Sequence, residues 1–454
     1  MGDRSIDSGS ASVRPALSQS RKLRLFSVFI LYVAQGVPIG LFWFAIPAWM
    51  AANGADAGDV AYVLGLTALP WSLKLVNGFL MDRYTFLAMG RRRIWLIGAQ
   101  LVMIGFLISC ALIGPGVEDI TLLGAIGFAV NAATTFQDVA VDGLAVDIME
   151  EEERARASGM MFGGQSIGMA ASTALSGAAI VAYGPSAAYL LSALFIGLVT
   201  VFVIVTRERP GERLLPWSEG QATAANRAIQ ADRWWPILKS TWRTIIRPAS
   251  LFWLPVIMIR GAQFGLLTGA TPLIATGSAG WNEAKAAALV GTGQLVAGII
   301  GMTVGGFLGD RLGARRATIV FYGCWLALNL TMFLGQPLWA DSRFLIPFII
   351  VWLSLDTLVT VATIPISMRL CHRTVAATQF TLYMALSNFG ITLGAWLLGV
   401  ASVLGGIAPL FGLLALANFV AITIMLAVNF PTRQIDAEAA GASPLPDELV
   451  PAVN

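Results

Sequence analysis

The chain has 454 residues, of which 57% are hydrophobic and only 12% charged, against roughly 25% charged in an ordinary soluble domain, which excludes that class and points to a polytopic helical membrane protein. The formal net charge of +3 is spread through short loops and leaves no nucleic-acid footprint. Cys110, Cys324 and Cys371 stand apart without a CxxC spacing, so neither a disulfide framework nor a metal site is expected, and no cofactor.

Residues 1–23 are rich in Ser and Arg without an apolar core and read as a disordered cytosolic tail, not a signal peptide. Twelve apolar segments follow, near 24–50, 58–80, 93–114, 120–149, 157–182, 186–206, 250–276, 285–308, 316–335, 344–368, 376–404 and 408–430, each long enough to span a bilayer. Residues 207–249 form a polar linker between the sixth and seventh. Its stretch Trp234-Trp235-Pro236-Ile237-Leu238-Lys239-Ser240-Thr241-Trp242-Arg243 mixes aromatic and basic residues, as in a helix at the headgroup level or a simple tether. Residues 431–454 read as a second disordered cytosolic tail.

Positive charge orients these segments. All but four of the 29 Lys and Arg fall on the side that carries both termini; Lys285 and Arg343 lie in opposite loops, and Lys74 and Arg260 inside spans. Positive charge stays in the cytoplasm, so both ends are expected there.

The most informative segment is the fourth. It places Asn131, Gln137, Asp138 and Asp142 where lipid-depth residues belong. Asp138 and Asp142, four apart, share one helix face. Ionised carboxylates at that depth are costly without a partner or a water-filled hollow, so this face is expected to line a solute pathway. Lys74 lies eight residues before Asp82 and Asp142 eight before Glu150, so both stand roughly 12 Å from the same surface and can pair, as can Asp138. Arg260 and Asp356 reach the midplane of their spans, roughly 15–18 Å deep. They either neutralise each other or leave the guanidinium free to fork onto a carboxylate or phosphate of a solute. A buried carboxylate at Asp138 or Asp142 can carry a proton across as the hollow changes side.

The two halves repeat. Gly78-Phe79-Leu80-Met81-Asp82-Arg83 recurs as Gly306-Phe307-Leu308-Gly309-Asp310-Arg311, and Gln35-Gly36-Val37-Pro38-Ile39-Gly40-Leu41 is echoed by Arg260-Gly261-Ala262-Gln263-Phe264-Gly265-Leu266. Parallel six-helix repeats follow, 24–206 and 250–430. With arginines after each Asp-Arg pair, at 91–93 and at 315 and 316, this arrangement resembles the signature loops of the major facilitator superfamily. The resemblance implies twelve helices in two pseudo-symmetric six-helix bundles, an all-α membrane protein. It also implies a conformational latch at Gly78, Asp82, Arg83, Gly306, Asp310 and Arg311. In that family the first helix of each three-helix unit lines the cavity, which would gather Gln35, Asp138, Arg260 and Asp356.

Three stretches are similar to the AmpG-type muropeptide permeases and the related acetyl-CoA transporters: Leu69-Pro70-Trp71-Ser72-Leu73-Lys74, Gln137-Asp138-Val139-Ala140-Val141-Asp142 and Ala377-Thr378-Gln379-Phe380-Thr381-Leu382. The resemblance implies a monomeric secondary transporter of the bacterial inner membrane, importing an anionic solute such as an anhydromuropeptide with protons. A CoA-ester or siderophore transporter of the same plan stays open. Asp138, Asp142 and Lys74 are the proton-coupling candidates; Arg260, Gln35, Asp356, Gln263, Asn131 and Gln137 are the solute-binding ones. Gly164-Gln165-Ser166-Ile167-Gly168 matches a hydrolase pattern but falls inside a span, where that pattern's strained strand-to-helix turn is missing, so no enzyme is expected.

Overall fold

The computed structural model describes residues 16–431, apart from 56, 231, 232, 282 and 402. Among the described residues eleven helices are long and apolar enough to cross a membrane, and a bent pair supplies a twelfth. The first span is Arg21–Met50. The second is Ala57–Leu73 continued by Leu75–Arg83, bent by 44° at Lys74, where the helix tightens to a three-residue bond from Asn77 N to Lys74 O. The third to sixth are Arg93–Ile113, Ile120–Ile148, Arg154–Tyr183 and Pro185–Val205. The seventh is Pro248–Gly277. The eighth is Glu283–Ile300, carried through a π-helical turn at Gly301–Gly305 into Gly306–Leu312. The ninth to twelfth are Ala314–Leu334, Ser342–Leu370, Ala376–Gly399 and Ala408–Ala427.

The same pairings recur in each half: first with fifth, second with fourth and third with sixth, then seventh with eleventh, eighth with tenth and ninth with twelfth. Glycines set the closest of them. A Cβ at Gly36 or Gly40 would meet backbone of the fifth span at 2.5 and 2.4 Å, and one at Gly261 or Gly265 would meet the eleventh at 1.9 and 2.0 Å. Small residues let apolar helices touch backbone to backbone, where lipid offers no hydrophobic drive for association. Large apolar side chains such as Leu112 and Val181 face outward, 81% and 90% exposed, as a lipid-facing surface requires.

The halves meet through the fifth span against the eighth and tenth, and through the eleventh against the second and fourth. One expectation about the ends needs correcting. Residues 17–23 are not a tail: Leu17–Gln19 forms a turn, Ser20 caps the first span by accepting from Leu23 N, and Leu17 is buried. The cause is pairing with the linker, since Leu17 N and Ser18 N donate to Arg207 O and Glu208 O at 2.9 and 3.0 Å. The linker itself is fastened, its Trp234–Ile245 stretch is helical, and the seventh span starts at Pro248. Residues 1–15 and 432–454 lie outside the described residues.

Candidate functional site

A cavity of about 290 Å³ opens between the halves and draws its lining from eight spans, the first, second, fourth and fifth of one half and the seventh, eighth, tenth and eleventh of the other. Its first-half wall carries three charged residues, Lys74, Asp138 and Asp142. Lys74 Nζ stands 3.0 Å from Asp138 Oδ2, both side chains nearly buried at 7% and 5% exposure. Gln35 Nε2 donates to Asp138 Oδ1 at 2.8 Å, and Tyr32 OH donates to Asp142 Oδ1 at 2.5 Å. Asp138 thus has a cation and an amide, whereas Asp142, one helical turn on, has a phenol. Trp71 stands 5.9 Å from Lys74 Nζ, donates Nε1–H to Asn131 Oδ1 at 3.0 Å and meets Trp43 edge-on. The bend at Lys74 lets its ammonium turn toward the fourth span.

The opposite wall carries one charge of each sign, near enough to act on each other. Arg260 and Asp356 both line the cavity. Arg260 Nε and Asp356 Oδ1 are buried without a hydrogen-bond partner, and no ion pair joins the two residues among the described ones. Gln294, Ser387 and Asn388 line the same cavity.

On the face where Arg21 and Ala427 lie, the cavity is sealed by a buried charge cluster. Asp82 Oδ2 accepts from Thr378 N at 2.8 Å across the halves, while its Oδ1 takes Arg92 Nη2 at 2.9 Å and Arg91 Nη2 at 3.3 Å. Arg91 also donates to Arg373 O and Thr374 O of the other half, at 2.7 and 2.5 Å, and both arginines pair with Asp147. Asp82, Arg91 and Arg92 are at most 1% exposed. The Arg92 guanidinium is desolvated, yet Asp147 and then Asp82 more than offset this and hold it firmly protonated. Gly78 belongs to the seal, because a Cβ there would sit 2.9 Å from Thr378 Cα. The second repeat answers with Arg156 Nη2 on Asp310 Oδ2 at 2.7 Å and with Gly306 against the Arg156 backbone. Arg369 pairs with Glu151 beside it.

A family model described as Major Facilitator Superfamily matches residues 26–395. The chain belongs to that superfamily. The anhydromuropeptide permease of Escherichia coli K12 is 25% identical over 390 residues, covering 82% of this chain and 74% of the relative. Putative transporter AmpG 4 of Rickettsia felis is 28% identical over 191 residues, or 41% of this chain and 46% of the relative. The superfamily transporter FucP in its outward conformation superposes with a TM-score of 0.66 at 13% identity, over 90% of this chain and 99% of that one. Human organic anion transporter MFSD10 gives 0.66 at 12% identity, over 89% and 99%. The chain is therefore an AmpG-like superfamily member, and at these identities the solved structures speak to the fold alone.

Within this major facilitator fold the expected residues divide cleanly. Lys74, Asp138, Asp142, Gln35, Arg260 and Asp356 converge on the cavity. Gln137, Gln263 and Asn131 do not line it. Gln137 accepts from Gln100 Nε2 and donates to Leu31 O, Gln263 is bonded to Asn329 and Asn418, and Asn131 holds Trp71. Each spends its polar atoms inside its own half, the usual role of amides between spans. In the seal, Gly78, Asp82, Gly306 and Asp310 take part, whereas the Arg83 and Arg311 side chains lie over Tyr84 and Phe307 instead.

Sequence reasoning gave no site role to Tyr32 and Gln165 in the wall or to Asp147 in the seal, and named Arg91 and Arg92 only as part of the repeated basic cluster. Tyr32 lies one turn before Gln35. Phe162, Gln165, Ser166 and Met169 form one helical face along the cavity, so the hydrolase-like pattern is a stripe of wall, with Ser166 Oγ donating to Phe162 O at 3.0 Å.

Proposed function

We propose that this transporter imports an anionic peptide- or sugar-bearing solute together with protons, an anhydromuropeptide being the reading the relatives favour, by rocking the bundles 24–206 and 250–430 about the cavity. The observation that carries it is the charge imbalance across the hollow. Lys74 balances one of the two wall acids and leaves the other to take up a proton, while Arg260 in the opposite half has a buried Nε with no hydrogen-bond partner and only the nearby Asp356 to offset its charge.

Asp142 is the proton carrier in this reading, because Asp138 keeps its ion pair and Asp142 holds only the Tyr32 hydroxyl. A solute carboxylate or phosphate docks on Arg260 in forked geometry. Asp356, close by, keeps the empty site from carrying a bare positive charge. The excess of Lys and Arg on the sealed face supports a cytoplasmic side for it in a bacterial inner membrane, and in this reading the conformation is the one open to the outside. Import then requires the Asp82 cluster and the Arg156–Asp310 pair to part.

The test is uptake into proteoliposomes of radiolabelled anhydromuropeptide beside a CoA ester and a ferric siderophore. Accumulation of the muropeptide alone is expected. Uptake of either comparator with none of the muropeptide would overturn the substrate reading.

A further inference from the structure

The linker helix Trp234–Ile245 has two unlike faces. One is buried in protein: Ile237, Thr241 and Thr244 are at most 6% exposed, and Ile237 packs with Phe79 of the second span and Val375 at the start of the eleventh. Gln379 Nε2 donates to Ser240 O and Thr244 Oγ1 at 3.3 and 3.0 Å, and Trp234 meets the Tyr84 ring edge-on at 5.7 Å. The other face holds Trp235, Leu238, Trp242 and Ile246, between 46% and 70% exposed. At 100° per residue these four fall within one arc of about 80°. Lys239 and Arg243, both exposed, follow directly along one edge of that arc, and from Arg233 to Arg247 the sequence holds four basic residues and no acid.

Two tryptophans and two aliphatic residues in a row are unfavourable against water. The chain fixes the height of the helix, since only Ile246 and Arg247 separate it from the seventh span, which starts at Pro248. It docks on the flank of the second and eleventh spans at their sealed ends, which is headgroup level. An apolar arc with a basic border at that depth is the pattern of a helix lying in an anionic bilayer surface.

We infer that this helix is a binding site for anionic phospholipid headgroups of the bilayer, with Trp235, Leu238, Trp242 and Ile246 among the upper acyl chains and Lys239 and Arg243 on the phosphates. Its contacts with Phe79, Tyr84, Val375 and Gln379 put that site within a few residues of Asp82 and Thr378, on both sides of the seal. The inference depends on the chain's residence in a membrane and not on the identity of the solute.

The experiment is spin labelling of the full chain with Leu238→Cys, in a Cys324→Ala background because Cys110 and Cys371 are buried. The labelled protein is placed in nanodiscs of phosphatidylcholine carrying increasing phosphatidylglycerol, and collision with oxygen is compared with collision with a water-soluble nickel chelate. Oxygen is expected to dominate, increasingly so with phosphatidylglycerol. Lys239→Gln with Arg243→Gln should weaken the phosphatidylglycerol dependence roughly 30-fold, at about fivefold for each basic residue near the surface. A label that collides freely with the nickel chelate at every composition overturns the proposal, as does a lipid-buried label indifferent to phosphatidylglycerol. Either result leaves the transport reading standing.

Discussion

Lys74→Met isolates the wall charges. It removes the only cation within 4 Å of Asp138 among the described residues and leaves two carboxylates one helical turn apart in a nearly dry wall. Breaking a buried pair from one side costs about 3–5 kcal/mol, because the remaining charge stays desolvated. The Gln35 amide still reaches Asp138 and softens the loss without supplying charge. At about 2–4 °C per kcal/mol for a unit the size of one bundle, the apparent Tm should fall on the order of 10 °C. Lys74→Met combined with Asp138→Asn removes both partners and should recover most of that loss, since a neutral pair of similar shape carries little penalty. The assay is tryptophan-fluorescence melting of wild type, both single variants and the double variant in one detergent, read as a double-mutant cycle. Additive losses, with no coupling between positions 74 and 138, would refute the reasoning.

Three further outcomes follow from the geometry. Gly78→Leu sets a side chain against the Thr378 backbone, so the seal cannot close, and maleimide labelling of Ala377→Cys from the terminal face should rise several-fold; unchanged labelling would mean the seal does not depend on that approach. Arg260→Lys keeps the charge but loses the fork, which should raise KM for an anionic solute roughly 10- to 100-fold with little change in kcat, on the scale of a charge-assisted hydrogen bond; an unaltered KM would remove Arg260 from the binding site. The linker should loosen with rising pH. Burial and then the nearby Glu208 push the Glu212 carboxyl up to about 8. The folded linker thus holds a proton the unfolded one releases at the ordinary carboxylate range, and stability falls as pH rises through that window up to about 8. Limited proteolysis near Arg227 should be faster at pH 8.5 than at pH 6, and Glu212→Gln should abolish the difference; equal rates in the wild type would contradict this.

Residue chemistry made the spans and the charged wall legible in advance, because ions at lipid depth have few places to go. Lys74, Asp138, Asp142, Arg260 and Asp356 all reached the cavity for that reason. Amides were ambiguous. Gln137 is only one residue from Asp138 yet points about 100° away, into the bond with Gln100. Gln263 turns from the Arg260 side toward Asn329 and Asn418. An uncharged side chain can satisfy itself against a neighbouring helix, so its depth does not reveal its direction.

The seal was half legible. Its glycines and acids came from the repeated motif, whereas Arg91 and Arg92 were part of that motif's basic cluster but carried no assigned contact. Their burial depends on the eleventh span's end arriving with the carbonyls of Arg373 and Thr374, which accept from Arg91. The linker's helix was legible, but not how the linker is fastened. Glu208 accepts the backbone N–H groups of Arg91, Arg92 and Arg93 at 2.7 to 2.8 Å, and so caps the third span from more than a hundred residues away. Gly90 leaves room for it, at φ 99°, where a Cβ would stand 2.5 Å from the Glu208 side chain. No local pattern announces such a pairing.

Proton coupling through Asp142 is tested most directly by uptake of labelled anhydromuropeptide into proteoliposomes under an imposed pH gradient, wild type beside Asp142→Asn. With one proton per turnover, each pH unit, acid outside, should multiply the wild-type accumulation ratio by up to about tenfold, whereas the variant should equilibrate the solute without concentrating it. Gradient-driven accumulation that persists in Asp142→Asn would contradict the account.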